Sequence, residues 1–251
     1  MKDWFLSLFQ DDLGGLEITL FSFWHIAYLI IILGSIFGTH YLIRNKSQET
    51  KKKVVDYILI FCILSYFFDL FAMPLYLDKI DIDKLPFHIC TSVSIIAQFT
   101  NFNKKFEKLK TPIVVLSVVA PLMYLTYPGT ALGGVSPICY RVVQTFLFHG
   151  SLLAYGILSI TTKQVELDIK KVWKELIVIV CIACWASIGN ALYETSTHHY
   201  DWFFLTGSTF PFIPKFLMPF VVIIAVFAMV MIIYGLNYLV KHIISKKNLK
   251  K

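Results

Sequence analysis

The stretch RNKSQETKKK, Arg44–Lys53, sets five basic residues between two long apolar runs, and the chain repeats that pattern. NKKFEKLK, Asn103–Lys110, carries four basic residues, the segment from Lys163 to Lys174 four, and the tail from Lys241 to Lys251 five. Of the 23 Lys and Arg residues, 18 lie in these places, and the intervening segments hold only Lys2, Lys79, Lys84, Arg141 and Lys215. Lys and Arg are retained on the cytoplasmic side of a membrane. The alternation therefore predicts an N-terminus outside and a C-terminus inside, with one crossing between each basic segment and the next sparse one.

Apolar runs of the required length lie near 20–43, 54–77, 86–102, 111–127, 138–161, 172–193 and 213–240, giving seven expected spans. Of the 251 residues 57% are hydrophobic and only 16% charged, and the mean hydropathy is +0.68. Such a composition excludes an ordinary soluble domain. The expectation is an all-α, polytopic protein, integral to the cell membrane and multi-pass, forming a single seven-helix transmembrane domain over residues 1–251. The net charge of +7 falls in loops, which suits anionic lipid and argues against nucleic acid as partner. Four acidic residues and one lysine precede the first long apolar run, so a basic signal-peptide region is lacking and the first span is expected to be retained. Five cysteines sit in or beside apolar runs, which disfavours a disulfide framework.

An ionisable side chain inside a span costs about 2.5 to 3.5 kcal/mol to insert and marks a candidate site. With the expected sidedness, those singled out fall in the outer half. Asp69 lies near the outer end of the second span, His88 and Cys90 open the third, and Asn190 and Glu194 end the sixth. In CYRVVQTFLFHG, Cys139–Gly150, Arg141, Thr145 and His149 recur every fourth residue, with Gln144 beside them, so one helical face is polar to roughly mid-membrane.

A thiol attacks as thiolate and needs a base, so Cys90 with either His88 or His149 forms a candidate nucleophile pair. On a regular helix His88 and Cys90 point apart, which favours His149 unless Pro86 delays the helix start. Arg141 suits a phosphate or carboxylate, or anchors the helix at the interface, and Asn190 or Gln144 could donate to an oxyanion. Asp69 could instead neutralise Arg141. Cys62, Cys139, Cys181 and Cys184 are expected as packing residues, and His25 and His40 as incidental. The pair His198–His199, near Glu194 and Asp201, is a weak metal candidate; otherwise no metal or soluble cofactor is implied.

Three segments together, LPFHIC at the third span, RVVQTFLFHG in the fifth and GNALYE ending the sixth, resemble the YwaF-like integral membrane family. That family is related to the animal seven-span transmembrane acyltransferases of ether phospholipid metabolism, and the similarity covers roughly residues 20–240. The resemblance implies that Cys90 accepts an acyl chain and that His149 is its partner. Thr91 stands where the family often has an acidic residue. The expected function is a cysteine-dependent membrane acyltransferase that takes an acyl chain from a phospholipid donor as a thioester and passes it, at the outer leaflet, to a lysophospholipid or lipoprotein acceptor. The rivals are a metal-dependent seven-helix hydrolase using His198 and His199, and a transporter or sensory protein with a polar path along Asp69, Arg141 and His149.

Overall fold

The computed structural model describes residues 16–72, 74, 82–129, 132, 134–195, 200–205 and 213–248. Among them the regular structure is entirely helical. Seven α-helices follow in chain order: α1 Phe23–Ile43, α2 Gln48–Phe67, α3 Ile89–Phe102, α4 Lys110–Thr126, α5 Tyr140–Thr161, α6 Trp173–Tyr193 and α7 Met218–Asn248. Each coincides with one of the expected apolar runs. Six helical segments are long and apolar enough to cross a membrane, the exception being α3, whose 14 residues span about 21 Å against a hydrocarbon core of about 30 Å.

Local chemistry explains the boundaries. Ser22 caps α1 and Ser47 caps α2, each side chain accepting a hydrogen bond from a first-turn backbone N–H. The Ser47 cap and the i,i+4 pairs Glu49–Lys53 and Lys52–Asp56 let α2 begin at Gln48, inside the basic stretch and ahead of the expected 54. Its last turn widens into a π-type turn at Phe68–Ala72. In α3 the expected start near 86 is delayed, because Pro86 and an extended His88 precede the first helical residue, Ile89.

The chain divides into two compact units, Met1–Lys84 with Ala120–Gln164, and Leu85–Val119 with Val165–Lys251. In the first, α2 and α1 both pack on α5. Gly150 makes the α1 contact possible: a Cβ there would lie 2.9 Å from Ile32 Cγ1. Tyr28 stacks on Phe146 and donates a hydrogen bond to the Pro137 carbonyl (2.6 Å). His25 is wholly buried and far from incidental. Its Nδ1 accepts from the Phe21 N–H and its Nε2 donates to the Leu125 carbonyl (2.9 Å), which ties the start of α1 to the end of α4. In the second unit, α6 packs against α7 and α3, and a short 3-10 turn at Trp202–Phe204 packs on α6 and α7.

Candidate functional site

Cys90 occupies the second helical position of α3. His88 is the N-cap residue with extended backbone, φ −70° and ψ 148°, and its side chain makes no capping hydrogen bond. The thiol is buried in the first turn. There the partial positive charge of a helix N-terminus acts on it, and negative charge developing on Sγ or on a nearby oxygen is stabilised. Thr91 turns its hydroxyl back to the His88 carbonyl (2.9 Å), and Ser92 donates to the Pro86 carbonyl (2.9 Å).

That Pro86 carbonyl also accepts from the Trp185 indole N–H of α6 at 2.7 Å. Phe87 is the centre of an aromatic cluster, stacked on Trp185 with centroids 4.8 Å apart and tilted against Trp202 at 4.9 Å. Gly189 leaves room for it: a Cβ at that position would come within 2.5 Å of the Phe87 ring. Two of the three motif segments, LPFHIC and GNALYE, are thus held together in one unit. Stacked rings contribute about 0.5 to 1.5 kcal/mol each beyond their burial, so the turn carrying Cys90 is firmly supported.

Asn190, the next residue of α6, holds the backbone of Trp202 at both ends. Its Oδ1 accepts from the Trp202 N–H (2.9 Å) and its Nδ2 donates to the Trp202 carbonyl (3.2 Å). Phe203 and Phe204 follow in the left-handed region at φ 64° and 56°, a conformation that costs non-glycine residues about 1–2 kcal/mol each. Asn190 therefore holds a strained turn in place, a positioning role that its expected part as oxyanion donor did not include.

In the other unit, His149 is buried on α5. Its Nδ1 lies 2.7 Å from the Thr145 carbonyl, an oxygen that can only accept, so Nδ1 carries the proton and the basic lone pair of the neutral ring is on Nε2. The imidazole stacks on Tyr124 of α4, with centroids 3.8 Å apart and planes 9° from parallel. The Thr145 hydroxyl bonds the Tyr124 hydroxyl at 3.2 Å. Ring plane, tautomer and orientation are set by neighbours on two helices.

Asp69 sits on the widened end of α2 and pairs with Lys84 at 2.6 Å. The expected Arg141 partner is replaced by a lysine from the segment leading into LPFHIC, whose own carbonyl accepts from the Tyr66 hydroxyl (2.9 Å). Arg141 is exposed, Gln144 is buried on the same helix, and Glu194 is the exposed C-cap of α6. His198 and His199 lie outside the described residues. Among the described residues no three His, Cys, Asp or Glu side chains form a metal-binding group. Cys62 is buried and donates to the Phe148 carbonyl, and Cys139 is buried at the start of α5, whereas Cys181 and Cys184 are exposed on α6 and are not core residues.

The structure thus joins Cys90 to its supporting aromatics in one unit and His149, Thr145 and Tyr124 in the other. One buried ionisable residue lies beyond those singled out from the sequence. Glu175 is buried at the basic end of α6, where the Tyr234 hydroxyl donates to it at 2.6 Å.

A protein-family model described as the TMEM164 family matches residues 20–236. Comparison with curated proteins and with solved structures gives no match.

Proposed function

We propose that this chain, which belongs to the TMEM164 family, is a cysteine-dependent membrane acyltransferase. The observation that carries the reading is the place of Cys90, a buried thiol in the first turn of an α-helix whose N-cap side chain makes no capping bond. The likeness of LPFHIC, RVVQTFLFHG and GNALYE to the YwaF-like family and its acyltransferase relatives supplies the reaction class.

In the first step Cys90 Sγ attacks the ester carbonyl of a phospholipid. A C–S bond forms, the ester C–O bond breaks, and the thiol proton goes to a base, the part that the family resemblance gives to His149, and on to the departing lysophospholipid oxygen. In the second step an acceptor hydroxyl or amine, on a lysophospholipid or a lipoprotein, attacks the thioester. The C–S bond breaks, and His149 takes the acceptor's proton and returns it to the thiolate. Arg141 meets the phosphate of the lipid headgroup, with Gln144 and His88 in support and Asn190 positioning. No cofactor enters the balance.

The same reading has seven crossings, an outer N-terminus and an inner C-terminus. Were α3 not to cross, the basic segment Asn103–Lys110 would face the opposite side from Arg44–Lys53, against the charge bias of the rest of the chain. A short span is accommodated by local thinning of the bilayer, which brings the ends of α3 close to the headgroups. The test of activity is acyl exchange in vesicles that hold purified protein, a deuterated-acyl phospholipid and an unlabelled lysophospholipid. Label should appear in the acceptor with the parent and not with Cys90→Ala; equal transfer by both would remove the thiol from the mechanism.

A further inference from the structure

At the basic end of the second unit a cavity of about 190 Å³ lies among Lys108, Thr111, Lys171, Lys174, Glu175 and Tyr234, with Glu107, Glu166 and Asp168 completing its charged wall. It is bounded by the first turns of α4 and α6, each continued upstream by a 3-10 turn, Lys104–Leu109 and Ile169–Lys171. The lining mixes three ammonium groups with four carboxylates. Such a wall disfavours a purely anionic ligand and a bare cation alike. A divalent metal is further disfavoured because no three acidic or imidazole side chains gather as ligands among the described residues.

Glu175 makes the wall specific. The residue is 1% exposed, its Oε1 accepts from the Tyr234 hydroxyl at 2.6 Å, and its Oε2 is buried with no hydrogen-bond partner among the described residues. An unpaired buried carboxylate oxygen is costly, and what answers it is an N–H donor carrying positive charge. The lysines supply the complement, a place for phosphate. Asp168 is already engaged, pairing with Lys171 at 3.3 Å and accepting from the Lys170 N–H, so it holds the loop rather than the ligand.

We propose that this cavity binds the headgroup of a zwitterionic phospholipid bearing a primary amine, with ammonium on Glu175 and phosphate toward Lys108 and Lys174. Its position favours a lipid over a soluble metabolite. The cavity adjoins the basic ends of Lys104–Thr126 and Ile169–Tyr193, segments long and apolar enough to cross a membrane, and the charged end of a span belongs among lipid headgroups. The site is independent of Cys90 and needs no acyl chemistry.

The test is native mass spectrometry of the full-length protein released from bilayers of equal phosphatidylethanolamine and phosphatidylcholine. The quaternary amine of the latter has no N–H to give Glu175. The parent should retain the ethanolamine lipid in preference by about tenfold, the value of one charge-assisted hydrogen bond. Glu175→Gln should bring the ratio near one, and Cys90→Ala should leave it unchanged, which separates this site from the acyltransferase reading. Glu175→Ala, which removes the carboxylate altogether, should likewise bring the ratio near one and serves if Glu175→Gln does not fold. Equal retention of the two lipids by the parent would overturn the proposal, as would a preference that survives in both variants. Displacement of the bound lipid by soluble phosphoethanolamine, with no lipid preference, would overturn the lipid assignment.

Discussion

The rings of Tyr124 and His149 lie face to face, 3.8 Å apart at their centroids, while His149 Nδ1 is fixed on the Thr145 carbonyl at 2.7 Å. The stack sets the plane of the imidazole and the hydrogen bond sets its tautomer, so together they fix where Nε2 points. Neither contact alone fixes both.

Separate substitutions divide the two effects. Tyr124→Phe keeps the stack and loses the bond to the Thr145 hydroxyl, so acyl transfer should fall by about threefold, as for a neutral hydrogen bond. Tyr124→Ala removes a stack of about 0.5 to 1.5 kcal/mol and should lower the rate by about tenfold while leaving the His149→Ala variant no worse. Initial rates of label transfer, measured with the double variant, check this; additive losses would place Tyr124 outside the action of His149.

The contact between Gly189 and Phe87 is a second point of leverage. A Cβ at Gly189 would sit 2.5 Å from the ring, and the ring is held by Trp185 and Trp202, so it has little room to move. Gly189→Ala should destabilise the protein by about 1 to 3 kcal/mol, the cost of overpacking. Gly189→Ala with Phe87→Leu should recover part of that loss. Thermal unfolding in detergent measures both, and a Gly189→Ala protein as stable as the parent would contradict the packing described.

Sidedness gives a third prediction, resting on the short helix α3. Single cysteines placed at Lys105 and Lys51 in a background lacking the native cysteines should be protected together from a membrane-impermeant maleimide in right-side-out vesicles. A cysteine at Thr195 should react. Labelling at Lys105 without labelling at Lys51 would mean that α3 does not cross and that the count is six.

Much of the fold is legible in the sequence because the bilayer acts on hydropathy directly: a run long enough to span becomes a helix, and all seven runs do. The boundaries that hydropathy misses are those made by polar chemistry. Ser47 and the pairs Glu49–Lys53 and Lys52–Asp56 extend α2 into charged sequence, and Pro86 with extended His88 shortens α3. The polar face of α5 was readable from the four-residue spacing of Arg141, Thr145 and His149. The partners were not, because each comes from a distant part of the chain. Tyr124 reaches His149 from α4, and Lys84 takes Asp69 in place of Arg141. A lone buried carboxylate announces that it needs a cation; it does not say which of several will arrive. Glu175 carries a similar signal inside the sixth apolar run, and its partner Tyr234 also comes from a distant part of the chain.

The central claim is that Cys90 carries the acyl chain. Intact-protein mass spectrometry after incubation with a phospholipid of defined acyl composition tests it most directly. The account predicts a mass increase equal to that acyl chain, removable by hydroxylamine, absent from Cys90→Ala and strongly reduced in His149→Ala. An adduct of the same mass that persists in Cys90→Ala would contradict it.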